Sequence, residues 1–255
     1  MFVKHLKLMR KNLFLFLILS ISIVSCSDTE ENNQIDSKLN IRLEYNGEPF
    51  VFFNDYEYPD GKTFNLTRIS FYLSEIRVSN SNTTLVTGIP EYVDLTNSHS
   101  DVQKAEIGFD FPLNDLNISD FSQISFNIGL TENDNSTHPN DYTSDNDLSR
   151  SAEYWISWNS YIFAKIEGNI DLDGDQIKET GIALHLGSNE ALRNISFENI
   201  VNNDQVDIVI NVEEIFENAN NIFDIETTSR IHSLSQIDQT NEIMDNLAAA
   251  FKIQN

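Results

Sequence analysis

Alternation of apolar and polar side chains limits the fold of this 255-residue chain more than any other feature. Leu39, Ile41 and Leu43 are separated by single polar residues, and a period of two places such side chains on one face of a half-buried strand. Comparable signals recur in other segments, two of them rich in aromatic residues: 49–53, 69–78, 124–130, 161–166, 182–186 and 206–212. At least seven strand signals separated by polar turns predict an all-β fold, a two-sheet β-sandwich.

Three segments depart from this pattern. Within 69–78 the alternation shifts by one residue, which predicts a bulge or a bend. Ile243, Leu247 and Phe251 stand four residues apart, which predicts a short amphipathic C-terminal helix that closes the domain. The polar stretch 131–151 predicts a long loop, and loops of that length in compact domains are more often functional or disordered than structural.

The first 25 residues have the order of a secretory signal peptide. Four basic residues precede an apolar run over 13–24, which is too short to span a bilayer comfortably. The run ends in Ile-Val-Ser-Cys at 23–26, which resembles the lipobox of bacterial lipoproteins. We therefore expect lipid attachment at Cys26, the sole cysteine, with an ordinary cleaved signal as the alternative.

Residues 26–37 are polar and acidic and contain no aromatic side chain, so we expect a disordered tether ahead of one domain at 38–255. The Ser-Asp-acid pattern after Cys26 also resembles the export signal of Bacteroidetes surface lipoproteins. The expected location is the outer membrane, anchored by lipid and facing the cell exterior.

Charge and motif content exclude several classes of protein. The net charge is −24, and because residues 1–25 carry four basic side chains and no acidic one, the other 230 residues carry −28. A surface this acidic repels phosphate backbones, and we therefore expect no nucleic-acid partner. A single cysteine excludes an intrachain disulfide and a CxxC site. The common hydrolase, P-loop and dinucleotide motifs are absent, and we expect a protein that is not an enzyme.

Four spaced motifs carry a resemblance to a known family. The most distinctive is 153–168, Glu-Tyr-Trp-Ile-Ser-Trp-Asn-Ser-Tyr-Ile-Phe-Ala-Lys-Ile-Glu-Gly, which holds both tryptophans. It agrees in order with Phe-Tyr-Leu-Ser-Glu-Ile-Arg-Val at 71–78, Ser-Phe-Asn-Ile-Gly-Leu at 125–130 and Leu-His-Leu-Gly at 184–187. Together they resemble the MbnP-like family, copper-binding proteins named after methanobactin operons, over about 38–252. The alternative role for the tryptophans is core packing.

The resemblance implies a copper site. In such proteins copper is bound by histidine and by a kynurenine that a dihaem peroxidase-like partner makes from tryptophan, and imidazole suits copper. Carried over to this sequence, the ligands are His185, His232 and Trp155. Trp155 keeps the family's distance from Tyr161 better than Trp158 does.

The sequence departs from the family pattern in three places. Relatives often have a histidine in the first strand, but 42–46 is Arg-Leu-Glu-Tyr-Asn. Ser160 replaces the usual glycine before the strand tyrosine, and Thr131 follows the Ile-Gly pair where an aspartate is common. Of the other histidines, His99 and His138 lie in polar segments, and we expect both to be exposed.

The segment 171–179 is similar to the start of an EF-hand loop, with carboxylates at positions one, three, five and nine. Gln176, however, occupies the glycine position, and Ile182 occupies that of the last glutamate. We therefore favour a plain hairpin turn, with a weak surface calcium site as the alternative. Its ligands would be Asp171, Asp173 and Asp175.

Two main functional hypotheses follow. The first is a surface lipoprotein that binds copper for storage, acquisition or hand-over. The second is a non-catalytic glycan- or protein-binding β-sandwich that has lost the metal site, for which an aromatic platform and an acidic surface are suitable. A neighbouring gene for a dihaem peroxidase would favour the first hypothesis, and one for a glycan-uptake transporter the second. A hydrolase is a weaker third hypothesis.

Overall fold

Strands dominate the architecture, as the alternation predicts. We describe the fold from a computed structural model, and the residues it describes are 37–113, 118, 121–200, 204–219 and 221–254. All of them belong to one unit, 34–255. The predicted signal peptide, Cys26 and the tether up to residue 36 lie outside the described residues.

The described residues form strands and helices with the following bounds. The strands are β1 Lys38–Tyr45, β2 Glu48–Pro49, β3 Tyr56–Glu57, β4 Thr63–Ser79, β5 Thr84–Val86, β6 Glu91–Asp94, β7 Phe109–Pro112, β8 Gln123–Ile128, β9 Tyr154–Trp155, β10 Ser160–Ile170, β11 Thr180–Gly187, β12 Arg193–Glu198, β13 Gln205–Asn211, β14 Glu217–Asn218, β15 Asn221–Ile222, β16 Arg230–Ile231 and β17 Phe251–Gln254. The α-helices are α1 Val102–Ile107, α2 Glu132–Asn135, α3 Val212–Phe216 and α4 Ile237–Ala250.

Two large sheets make up the sandwich, which confirms the predicted fold class. The smaller has the order β17-β13-β1-β2, with β7 also on β1, and its β1 and β13 run parallel. The larger has the order β12-β8-β4-β10-β11-β16, and β3, β5, β6 and β9 pair along its long central strands. Strands β14 and β15 form a separate small hairpin.

The core lies between the two sheets. Leu39, Ile41 and Leu43 on β1 are fully buried, as their alternation predicts. Phe251 of the smaller sheet packs against Phe71 and Phe126 of the larger one, with ring centroids 5.7 and 5.8 Å apart. Such aromatic contacts bury large apolar areas and fix how the two sheets meet.

The predicted irregularity in β4 is a bulge. The pairing of β4 with β8 shifts between Ser74 and Arg77, and Glu75 takes a left-handed φ of 47°. The extra residue restores the inward direction of Ile76 and Val78, which are both buried.

The C-terminal helix is present, but it does not close the chain. Ile243 and Leu247 on α4 are fully buried, as predicted. The predicted third helical residue, Phe251, instead begins β17, which pairs antiparallel with β13. Apolar and polar residues alternate there, which favours a strand. The side chain of Phe251 can be buried either at the end of a helix or at the start of a strand.

Two other segments differ from their sequence signals. Of the apolar run 49–53, only Pro49 lies in a strand, because Phe53 adopts a left-handed φ of 68° in a turn from which Phe50 and Phe52 reach the core. The polar stretch 131–151 is folded into α2 and short 3₁₀ turns. Among the described residues, no helix is both long and apolar enough to cross a bilayer.

Candidate metal centre

Four aromatic rings that are distant in sequence meet on the outer side of the large sheet. The imidazoles of His185 and His232 have centroids 4.8 Å apart. The Trp155 ring lies 5.6 Å from His185 and 5.0 Å from His232. Trp158 stacks on the far face of this group, 4.8 Å from Trp155 and nearly parallel to it. The structure therefore brings together all three residues that the family resemblance assigns to copper.

Strand pairing explains how the two histidines meet. His185 lies on β11, between the buried Leu184 and Leu186, and so faces away from the core. The two-residue strand β16 runs parallel to β11 with Ile231 opposite Leu184, so the next residue, His232, arrives beside His185. Gln236 holds this segment because it accepts a hydrogen bond from the His232 N–H at 3.0 Å.

A short antiparallel pairing delivers the tryptophans. Trp155 on β9 lies opposite Ser160 at the start of β10, and the N–H of Trp158 donates to the Trp155 carbonyl at 3.0 Å in the intervening turn. A Cβ on Gly187 would come within 2.6 Å of the Tyr161 carbonyl oxygen and 3.3 Å of the Trp158 ring. The glycine of the Leu-His-Leu-Gly motif thus lets β10 and the tryptophan turn approach β11 closely.

His185 has one engaged and one free ring nitrogen. Its Nε2 lies 2.7 Å from Oε1 of Glu167, in a side chain that is only 16% exposed. Its Nδ1 is buried and has no hydrogen-bond partner among the described residues. A buried polar atom without a partner is costly, and a metal ion bound to Nδ1 would remove that cost. The donor set of two imidazoles therefore fits copper.

The resolved pKa shifts at this group favour a neutral His232 and a charged Glu167. Burial, together with the neighbouring His185 and Arg230, lowers the pKa of His232 below its ordinary value. The hydrogen bond with His185 holds the pKa of Glu167 below its ordinary value. Because metal ions bind the neutral form of histidine, the lowered pKa of His232 favours metal binding at neutral pH.

Comparison with known proteins identifies the family. The family model named MbnP matches residues 34–236 of this sequence. The chain belongs to the MbnP family. Among solved structures, MbnP from Methylosinus trichosporium matches with a TM-score of 0.50 at 10% sequence identity, over 73% of this chain and 78% of that one. At that identity the likeness shows a shared fold, and a search of curated proteins finds no match.

The departures from the family pattern can now be placed. Residues 42–46, where the family resemblance leads us to expect a histidine, belong largely to β1 in the smaller sheet, whereas His185 and Trp155 lie on strands of the larger sheet and its β9 extension. Ser160, which replaces glycine, is buried and donates to Oδ1 of Asn135 at 3.0 Å. That bond ties the α2 segment to the start of β10.

A buried ion pair lies behind the tryptophan strand. Lys165 on β10 and Glu153, whose side chains are 8% and 5% exposed, approach to 2.7 Å between Nζ and Oε2. Arg68 donates to the other carboxylate oxygen of Glu153 at 3.0 Å. Glu153 directly precedes β9, so these contacts tie Trp155 to the sheet that carries His185.

The two remaining described histidines do not belong to this site. The prediction that His99 is exposed is wrong: it is fully buried, and its Nε2 accepts a hydrogen bond from the Leu43 N–H at 2.9 Å. His138 is half-buried, caps a 3₁₀ turn and packs against Tyr154, with ring centroids 4.7 Å apart.

The acidic segment forms the predicted hairpin turn between β10 and β11. Ligand oxygens of Asp171, Asp173, Asp175 and Glu179 lie within 4.8 Å of one another. Burial raises the pKa of Asp171, but hydrogen bonds from the N–H groups of Gly174 and Gln176 outweigh it and hold that pKa below its ordinary value. These bonds account for the turn, and the calcium site stays a prediction.

Sequence reasoning did not single out Glu167, although a signal was present. Lys165 and Glu167 both belong to the Lys-x-Glu-Gly ending of the tryptophan motif, and a period of two places them on one face of β10. Lys165 lies opposite His185 in the register, which puts that face beside the histidine. Gly168 completes the motif because a Cβ there would come within 2.1 Å of the Asn65 carbonyl oxygen.

Proposed function

We propose that this protein binds copper through His185, His232 and a ligand derived from Trp155. The observation that carries the proposal is the meeting of two imidazoles, 4.8 Å apart, at the edge of one tryptophan ring. The buried Nδ1 of His185, which has no partner among the described residues, supports it. The MbnP family is associated with copper, and imidazole nitrogen is a strong ligand for that metal.

Trp155 supplies the third ligand after oxidation. An intact indole is a poor ligand, whereas cleavage of its pyrrole ring to kynurenine creates an aromatic amine and a ketone. A dihaem peroxidase-like partner, implied by the family resemblance, performs that oxidation. Trp155 is favoured over Trp158 because its ring contacts both histidines, whereas Trp158 contacts Trp155.

The function that follows is storage, acquisition or hand-over of copper rather than turnover of a substrate. Protein purified from its own host is expected to contain about one copper per chain and a Trp155 peptide with the mass of kynurenine. Protein made without the partner oxidase should carry an unmodified peptide, which is the control. Copper-free host protein with intact tryptophan would favour the glycan- or protein-binding module instead.

The protein acts at the outer membrane, held by lipid on Cys26. This residue is the sole cysteine and ends the lipobox-like sequence, so no other thiol can accept the lipid. Cys26→Ala is expected to give soluble or unprocessed protein in membrane fractionation. Mutant protein that stays in the outer-membrane pellet with normal processing would contradict the anchor.

The hairpin carboxylates are a second candidate site, for calcium. Three of the four acidic residues there are exposed, so binding would be weak and would act through mass action. Added Ca²⁺ is expected to raise the melting temperature, and Asp173→Ala to remove the response, because an oxygen ligand is lost. Equal melting curves with calcium and with chelator would leave the turn without a metal role.

A further inference from the structure

We propose that Glu167 is a positioning residue that makes Nδ1, and not Nε2, the copper-binding atom of His185. The proposal rests on the proposed copper function and adds which atom binds and what holds it. Its basis is the 2.7 Å contact between Nε2 of His185 and Oε1 of Glu167, on adjacent antiparallel strands.

The hydrogen-bond chemistry selects one tautomer. An ionised carboxylate only accepts hydrogen bonds, so Nε2 must carry the proton in the bond to Glu167. A neutral imidazole has one N–H, and the other nitrogen, Nδ1, then presents its lone pair. That atom is the buried one without a partner among the described residues. Metal-binding histidines commonly donate their second nitrogen to a carboxylate in this way.

The neighbours of Glu167 keep its carboxylate available for His185. Arg68 lies opposite Glu167 in the register between β4 and β10. The two side chains therefore project from the same face of the sheet, which places the positive charge of Arg68 on the side of the Glu167 carboxylate. Lys165 lies opposite His185, but its Nζ is engaged by Glu153 at 2.7 Å and by the Ala152 carbonyl at 2.8 Å. Lys165 therefore makes its close contacts away from the Glu167–His185 bond.

The arrangement also places a negative charge next to the metal-binding imidazole. The two imidazoles are neutral ligands, so a bound Cu(I) ion would keep its positive charge in a partly buried site. The carboxylate of Glu167, attached through the His185 ring, supplies a negative charge near that ion without taking a coordination position. Glu167 is thus separated from the metal by one imidazole.

The test uses ¹⁵N-labelled protein from the native host, stripped of copper with a chelator and then titrated with Cu(I), which is diamagnetic and suits NMR. Before copper is added, the His185 signals are expected to show a protonated Nε2 and a bare Nδ1. Copper should shift the Nδ1 signal while Nε2 keeps its proton. In competition with a Cu(I) chelator, Glu167→Ala is expected to bind about 10- to 100-fold more weakly than wild type. Glu198→Ala, which removes an exposed carboxylate at the end of β12, is the matched control and should change neither readout.

The outcomes separate this proposal from the copper function. Copper bound through Nε2, or an affinity in Glu167→Ala within twofold of wild type, overturns the proposal and leaves the copper function standing. Wild-type protein that binds no Cu(I) overturns the function and the ligand assignment with it. If Glu167→Ala does not fold, the wild-type spectra before and after copper still decide which nitrogen binds.

Discussion

Replacing His185 with alanine is expected to lower copper affinity by at least about tenfold. Loss of a residue that only hydrogen-bonds to a metal ligand already lowers affinity by about tenfold or more, and loss of the ligand itself should cost at least as much. His185 is less exposed than His232, and its Nδ1 is a buried atom without a hydrogen-bond partner among the described residues. The measurement is copper per chain after dialysis against a chelator, on protein from the native host. The same preparation gives the mass of the Trp155 peptide.

The matched control for this variant is His138→Asn. His138 caps a 3₁₀ turn through Nδ1, which accepts from the Asn140 N–H at 3.2 Å, and asparagine is a good replacement at such a position. His99→Ala is unsuitable because His99 is buried and its loss would affect folding. Equal copper in His185→Ala and wild type, with an unmodified Trp155 peptide, would favour the binding-module hypothesis.

Local periodicity predicted the strands because burial of one sheet face imposes a period of two. Leu39, Ile41 and Leu43 alternate because β1 has one face on the core, and the phase shift before Ile76 marks a real bulge. At Phe251 periodicity failed, because a buried position reads the same at the end of a helix and at the start of a strand.

The meeting of His185 and His232 could not be derived from periodicity. It depends on β16, a strand of two residues that runs parallel to β11, and so short an element leaves no pattern in the sequence. The family resemblance identified both residues, but it did not predict the strand pairing that brings them together. Glu167 was in a motif but had no assigned role until the strand register placed it beside His185.

His99 shows how a polar segment can be misread. Thr96, Asn97, Ser98 and Ser100 surround it, so composition predicts an exposed loop. Its burial comes from a contact 56 residues away, where the backbone N–H of Leu43 needs an acceptor near the end of β1. A buried backbone donor must be paired, and nothing in the local sequence of either segment reports that need.

The burial of His99 leads to an expected dependence of stability on pH. Burial lowers the pKa of His99 to about 4, against an ordinary value of 6.5. Nε2 of His99 already accepts a hydrogen bond from the backbone N–H of Leu43. A proton on Nε2 would therefore leave two N–H donors facing each other without an acceptor. Between those two pH values the unfolded chain binds more protons than the folded one, so the free energy of unfolding falls as the pH drops from about 6.5 towards 4. A pKa difference of this size lowers the free energy of unfolding by about 3 kcal/mol over that pH range.

The measurement is urea unfolding of the protein at pH 7 and at pH 4.5, for wild type and for His99→Gln. Glutamine offers an amide oxygen to the Leu43 N–H but does not titrate, so its unfolding free energy should change less between the two pH values than that of wild type. Because the chain carries 40 acidic residues that also begin to titrate in this range, the difference between the two proteins is what reports His99. His138→Asn removes a half-buried histidine and should keep the wild-type pH dependence. An equal pH dependence in His99→Gln and wild type would show that His99 accepts a proton in the folded protein as readily as in the unfolded chain, against what its burial requires.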